Sequence, residues 1–465
     1  MTAGTTTART PFVHRVKDAL TGDVTTPFVF LGNFEVEDEW AHGEIGLPSV
    51  RGAGASSAVV NRMDEFALLL AGKDDHVVLK SAPDPGYLAY LDSLGLDLPQ
   101  VLVTDVDDPL RTVTRDALDS PHLQSRLREL AAGGARLLAH GTSTAEEELC
   151  AVTGLASALP GAATTKAVNS KIYSRELCSE LGIRQARGWV CRTVDDFTRA
   201  VAEASRAVAA GRTVGVKDAY GVSGKGILVV DDERRLDQLL RMVVRRAERS
   251  GDERLSVVVE EWAEKATDLN YHFTVALDGT VTFDFVKEAL TRRGVHQGHR
   301  IPSRLPRERV DELGELSARL GARLHQDGFH GIVGVDAIVL TDGSLLPVLE
   351  INARNNMSTY QVRLQEQFLP DDGVALARQY DLTLDAPVSF DALEERLGDL
   401  LYTTDRGRGL LVDNTATVNA AASTRTAGTP FSGRLYGLLV ATSDDELSHL
   451  DDSVAARLTE GTARD

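Results

Sequence analysis

Cysteine is scarce in this chain: 465 residues hold three, Cys150, Cys178 and Cys191. An odd number without metal-ligand spacing argues against a disulfide frame, and reads as small buried thiols in a reducing compartment. Long apolar runs are missing too, so no segment qualifies as a membrane-spanning helix. Residues 1–10 are polar and Thr-rich with no apolar stretch behind them, which points to a cytoplasmic chain. Basic residues are in the minority, Lys+Arg 50 against Asp+Glu 69, and the formal charge is -19. A field of that sign repels phosphate backbones and anionic lipid, so neither nucleic acid nor membrane is expected as a partner. Any anionic ligand must then be held by a local basic pocket.

Several motifs are absent as well. No Gly-x-Gly-x-x-Gly fingerprint follows a strand, Gly224-Lys225 is followed by Gly226 where a P-loop needs Ser or Thr, and neither His-Arg-Asp nor Asp-Phe-Gly occurs. No Ser-His or Cys-His signature marks a side-chain nucleophile. What is present is ordinary globular material, 43% apolar and 26% charged, enough for two to four units at roughly 150 residues per domain.

Short apolar runs at 28–31, 76–79, 101–103 and 137–139 alternate with helical stretches at 56–71 and 120–132. That alternation predicts an open α/β sheet over residues 1–161. From residue 162 the texture changes. Strands are expected at 189–191, 213–217, 227–230 and 256–262, with a helix whose Leu236, Leu239, Leu240, Val243 and Val244 form one buried stripe. A third section, 264–386, opens with strands at 271–276 and 281–285 and continues with an amphipathic helix over 307–326, carrying Val310, Leu313, Leu316, Leu320 and Leu324 on one side. It then forms a hairpin, 332–340 and 345–351, around Asp342-Gly343. Residues 387–465 form a final α+β segment with a strand near 435–440. Residues 292–300, with Arg292, Arg293, His296, His299 and Arg300, read as a basic loop, and Arg304 follows. The two histidines lack a third ligand for zinc. Trp40, among the acids Glu35 to Glu39, reads as a core residue.

The most informative piece is Glu350-Ile351-Asn352-Ala353-Arg354 together with Asp336. Residues two apart on a strand share a face, so Glu350 and Asn352 project together, and Asp336 can meet them across the hairpin. Two carboxylates and an amide oxygen suit Mg²⁺, which uses few protein ligands. A solvated hairpin face is the plainer alternative. The apolar flanks of Glu350 weigh against it, because an unpaired carboxylate in a buried strand is costly. Lys217 ends an apolar strand before Tyr220 to Gly226, where three glycines let backbone N–H groups approach phosphates. Val257 to Ala263 is an apolar strand that breaks into Glu260-Glu261-Trp262, a place where backbone groups could meet an adenine edge.

In order and spacing, Lys171, Lys217, the Gly-rich turn, Glu260-Glu261-Trp262 and Asp336…Glu350-x-Asn352 resemble the ATP-grasp superfamily over about residues 162–367. The preceding unit resembles the pre-ATP-grasp domain. Leu31-Gly32-Asn33-Phe34-Glu35 and Asn169-Ser170-Lys171 resemble the peptide ligases of the pheganomycin type and their relatives. The resemblance implies a mixed α/β and α+β chain: a pre-ATP-grasp domain (1–161), a small lid lobe (162–263), a large lobe with the metal site (264–386) and a small C-terminal domain (387–465).

It also implies roles. Lys171 and Lys217 would contact the ATP phosphates, and Gly221, Ser223, Gly224, Lys225 and Gly226 would belong to the loop over them. Glu260 would take the adenine amino group, with the backbones of Glu261 and Ala263 at the other edge positions and Trp262 between them. Asn270 would stand where relatives hold the ribose. Asp336, Glu350 and Asn352 would bind two Mg²⁺ ions, with Mn²⁺ as a substitute. Arg354 would face the reacting carboxyl group and Arg300 the substrate carboxylate. The implied activity is ATP-dependent joining of a carboxylate to an amine or peptide N-terminus through an acyl phosphate, in peptide natural-product biosynthesis. A regulatory ATP-binding protein and a small-molecule kinase stand as alternatives. The partners are small-molecule carboxylates and amines or peptides, and a homodimer is left open.

Overall fold

The computed structural model describes residues 10–48, 55–221, 226–292, 295–426 and 428–459. Five short strands, β1 (Phe28–Leu31), β2 (His76–Leu79), β3 (Gln100–Val103), β4 (Arg136–Ala139) and β5 (Ala156–Ser157), make a parallel sheet in the order β3-β2-β1-β4-β5. All four residues of β1 are buried, because apolar material covers both faces of a parallel sheet. Alternation along the strand divides them. Phe28 and Phe30 enter one cluster with Val77, Leu138 and Tyr360, while Val29 and Leu31 enter another with Val78, Leu137 and Leu149. Trp40 is buried and donates from its indole N–H to the Thr142 carbonyl at 2.9 Å.

The second sheet is antiparallel: β6 (Gly188–Thr193), β7 (Val214–Asp218), β8 (Ile227–Val230) and β9 (Arg254–Glu261), in the order β6-β9-β7-β8. The helix Glu233–Ser250 packs on it through Leu236, Leu239, Val243 and Ala247, with Leu240 at the margin of the core. A short strap from the first unit ties the two sheets together. Ser256 N–H donates to the Ile45 carbonyl at 2.8 Å, Leu47 N–H donates to Asp218 Oδ1 at 2.6 Å, and Lys166 pairs with Glu44 at 2.7 Å.

The third sheet has eight strands: β10 (Lys265–Val275), β11 (Val281–Arg292), β12 (Val295–Ile301), β13 (Gly331–Leu340), β14 (Leu345–Asn352), β15 (Val374–Leu384), β16 (Gly409–Asn414) and β17 (Phe431–Ala441). Their order is β14-β13-β10-β11-β12-β15-β17-β16. The helix Arg307–Gln326 buries Leu313, Leu316, Leu320 and Leu324 against it. Two sequence expectations need correction. The loop expected at 292–300 contains most of a strand, β12, paired with both β11 and β15. Its residues, Val-His-Gln-Gly-His-Arg-Ile, hide the strand because His299 and Arg300 are polar side chains buried inside the sheet. The boundary expected near 387 is bridged by the sheet, since β17 pairs with β15 along its whole length and one apolar cluster runs from Leu376 to Leu458.

Candidate functional site

Strand register builds the site. Lys287 of β11 stands opposite Asn270 of β10, Asn270 opposite Asp336 of β13, and Asp336 opposite Glu350 of β14. One row across four strands therefore carries Lys, Asn, Asp and Glu. In the next row Gly334 stands opposite both His272 and Asn352. A Cβ at Gly334 would lie 2.3 Å from Asn356 Nδ2 and 2.9 Å from His272 Nε2, so the polar side chains there require glycine. Asn270 donates to Asp336 Oδ1 at 2.8 Å and Asn352 donates to Asp336 Oδ2 at 3.2 Å. Burial, and then the charge of Glu350, pushes the Asp336 carboxyl up to about 6. A buried carboxylate beside a second one, with an amide oxygen at hand, is a donor set that a hard divalent cation would relieve. The residues fit such an ion, with Asp336, Glu350 and Asn352 as its holders. Among the described residues no cluster of three or more His, Cys, Asp or Glu offers a metal cage.

Lysines flank this set. Lys171, buried at the start of the helix Lys171–Glu180, donates to Glu350 Oε1 at 2.7 Å and to the Gly221 carbonyl at 2.9 Å. Glu350 is thus a partly exposed carboxylate, 22% accessible, paired with Lys171, where its apolar flanks had suggested a buried one. Lys217 Nζ lies 2.5 Å from Glu260 Oε1 and 5.4 Å from the Trp262 ring centre. Arg175, one turn beyond Lys171, meets Glu260 Oε2 at 3.1 Å. Between these groups is a gap of about 10 Å³, room for no more than one water. The Trp262 ring lies over Gly215, where a Cβ would come within 2.7 Å of it. Outside that ring a cleft of about 770 Å³ opens between Arg187, Arg212, Glu261, Ala263 and Lys265.

Arg354 lies beyond the end of β14. It donates to Asn352 Oδ1 at 3.0 Å and to the Asn355 carbonyl at 2.9 Å, and its Nε is 2.5 Å from Glu37 Oε1. Glu37 belongs to the helix Val36–Ala41, which follows β1.

Several expected roles change. Asn270, expected where relatives hold the ribose, is buried and bonded to Asp336, with its Oδ1 accepting from Ser358 Oγ at 2.6 Å, so it supports the acidic row. Glu260 is bound by two cations, so an adenine amino group would compete with Lys217 and Arg175 for it. The Glu261 N–H is taken by the Arg187 carbonyl at 2.8 Å, which leaves its carbonyl for an edge contact, and its carboxylate pairs with Arg212 at 2.7 Å. Arg300 is held by Asp444 of the C-terminal helix at 2.7 Å, not by the acidic row. Asp218 N–H donates to the Gly226 carbonyl at 2.8 Å, which fixes one end of the Gly-rich turn. Ser223, Gly224 and Lys225 lie outside the described residues, as do Arg293 and Gly294.

Sequence reasoning missed Arg175, Glu37 and Lys287. Arg175 had a signal, its i+4 spacing from Lys171. The other two are brought in by long-range pairing that no local pattern reports.

Comparison with known proteins bears on this geometry. Residues 63–155 match the family model of the Pre ATP-grasp domain. The fold resembles N5-carboxyaminoimidazole synthetase from Staphylococcus aureus complexed with ADP, with a TM-score of 0.51 and 13% identity over 93% of this chain and 98% of that one. The chain carries a pre-ATP-grasp domain followed by an ATP-grasp fold. N5-carboxyaminoimidazole synthase from Aspergillus clavatus, in complex with ADP and 5-aminoimidazole ribonucleotide, matches with a TM-score of 0.50 and 14% identity over 92% of this chain and 99% of that one. In sequence, the chain is 25% identical over 325 residues to the [Butirosin acyl-carrier protein]--L-glutamate ligase of Niallia circulans, covering 70% of this chain and 71% of the relative. No helix among the described residues is long and apolar enough to cross a membrane.

Proposed function

We propose that the protein is an ATP-dependent ligase that joins a carboxylate to an amine. The observation that carries this reading is the Asp336–Glu350–Asn352 set, with Lys171 on one side and Arg354 on the other. The named relative, a ligase acting on L-glutamate and an acyl-carrier protein, supports it. A donor carboxylate oxygen attacks the γ-phosphorus of ATP, ADP leaves, and an acyl phosphate results. The amine attacks the acyl carbon, and phosphate departs as the C–N bond forms.

Asp336, Glu350 and Asn352 would hold Mg²⁺, with Mn²⁺ as a substitute, and the ion would supply positive charge to neutralise the phosphates. The chain's own residues do the rest. Lys171 and Lys217 exchange their acid partners for phosphate oxygens. Arg354 lies next to Asn352 and stabilises the oxyanion of the tetrahedral state, a contribution of about 100-fold or more for a donor in that position. Arg300 has no part in this reading, because Asp444 and the Pro302 carbonyl occupy it. Peptide natural-product assembly is the setting we assign, on the strength of the butirosin relative.

The test is ADP release from panels of amino acids and peptides, each supplied in donor and acceptor roles. Ligation requires ADP release that depends on both partners and a product with a new amide. ADP release with a phosphorylated product and no amine requirement would make the protein a kinase. Nucleotide binding without turnover would make it a regulator.

A further inference from the structure

Glu37 extends its carboxylate from the parallel-sheet unit against Arg354, at the end of the acidic hairpin. Its helix follows β1, and the facing loop, His140 to Ser143, follows β4. β1 and β4 are neighbours whose connections run to opposite sides of the sheet, so both loops lie at the carboxyl ends of the strands where the order reverses. In open α/β sheets that crevice is where ligands bind. Asn33 ties the two loops together, accepting from His140 N–H at 2.9 Å and donating to the Gly141 carbonyl at 2.8 Å. The segment after Asn352 docks on them through Asn355 N–H, which donates to the His140 carbonyl at 3.1 Å. Glu37 is thereby fixed beside Arg354.

Glu37 is 6% exposed, and besides Arg354 its carboxylate is met by its own backbone N–H, with no donor from another described residue in hydrogen-bond geometry. Arg354 gives it charge at 2.5 Å without hydrogen-bond geometry. A buried carboxylate in that condition is costly unless something donates to it. The ionisable groups around it are Arg354, Glu350, Tyr360 and, on its own helix, Asp38. Burial dominates them and raises the Glu37 carboxyl above its ordinary range, so it holds a proton more readily than an exposed glutamate would.

We infer that Glu37 is the acceptor-amine residue of this site: its carboxylate receives the ammonium group of a primary-amine acceptor and takes the proton that must leave before attack. The assignment rests on the ligase reading above. The proton bookkeeping closes. One N–H proton passes to Glu37, the neutral amine forms the C–N bond, the C–O bond to phosphate breaks, and the second amine proton leaves with phosphate. Glu37 returns its proton to water as product departs.

Hydroxylamine separates this role from a structural one, because it is largely unprotonated at neutral pH and traps acyl phosphates as hydroxamates without surrendering an ammonium proton first. Hydroxamate and amide formation are measured for the wild type and Glu37→Gln, with the melting temperature of each. The expected result is a fall of about 100-fold or more in the amide-to-hydroxamate ratio of the variant. Its amide rate should also climb about tenfold per pH unit below the acceptor's pKa, where the wild type levels off. Equal losses with both nucleophiles would reduce Glu37 to a support for Arg354 and overturn the assignment. A wild-type protein that makes no hydroxamate from any carboxylate would instead remove the ligase reading itself, and the assignment with it.

Discussion

Arg354 and Glu37 show how much one residue's meaning depends on its partner. The guanidinium answers a buried carboxylate, and removing one member of such a pair costs about 3–5 kcal/mol because the other is left charged and dry. Arg354→Ala is therefore expected to lower apparent stability by that order at pH 7.5 in urea unfolding, besides its effect on turnover. The deficit should shrink as pH falls and Glu37 takes up a proton, and Glu37→Gln added to Arg354→Ala should recover much of it. A deficit that does not change with pH would place the cost elsewhere. Lys287 poses the opposite problem. It is 1% exposed, donates to the Ser358 carbonyl at 2.8 Å, and burial lowers its pKa to about 7. Its folded pKa lies below the ordinary 10.5, so between about pH 7 and 10 the unfolded chain binds a proton that the folded one does not. Stability then rises with pH across that window, by up to about 1.4 kcal/mol per unit. The difference in melting temperature between the wild type and Lys287→Met should accordingly move in favour of the wild type from pH 7 to pH 9.5. A constant difference would mean that Lys287 is charged in the folded protein.

At the scale of elements, legibility followed sequence distance. The β13–β14 hairpin could be read because Asp342-Gly343 and a period of two lie within twenty residues, and those same residues put Glu350 opposite Asp336. The helix stripes at 236–247 and 313–324 could be read for the same reason. β12 could not, since its polar side chains are buried by neighbours that only the assembled sheet supplies. The bond between Asn270 and Asp336 could not be read either, because the two are 66 positions apart and the pairing of their strands leaves no local mark. The strap at residues 43–48 is the third such case: its pattern is a Gly-rich loop, and its purpose appears only in its contacts with the lid. Asp218 is the anchor, accepting from Leu47 N–H at 2.6 Å. Asp218→Ala should leave that amide without its acceptor and loosen the strap from β7. Hydrogen exchange at Leu47 should speed up by about tenfold or more, while amides in β1 keep their protection. Unchanged exchange at Leu47 would show that Ile45 and Glu44 hold the strap without it.

For the whole molecule, charge sets up a contest between long and short range. The formal charge of -19 repels a nucleotide polyanion at a distance, while Lys171, Arg175 and Lys217 attract it at the end of its path. The cleft outside Trp262 carries a small positive excess, Arg184, Arg187, Arg212 and Lys265 against Glu261 and Glu264, which is small beside the outer field. Screening decides which range governs each rate. The Debye length falls from about 30 Å at 0.01 M salt to about 8 Å at 0.15 M. At the higher salt the repulsion from the surface as a whole is largely cancelled, whereas contacts at 2.5 to 3 Å inside the gap are much less affected. The association rate of a nucleotide should therefore rise, by a few-fold, as salt increases over that range, the reverse of what a basic binding surface gives. The dissociation rate should change less, because it is set by the lysine and arginine contacts at close quarters. Stopped-flow binding of a fluorescent ATP analogue at constant free Mg²⁺ measures both. An association rate that falls with salt would show that the local cations, not the net charge, steer the ligand in, and would move the decisive field from the molecule as a whole to the mouth of the cleft.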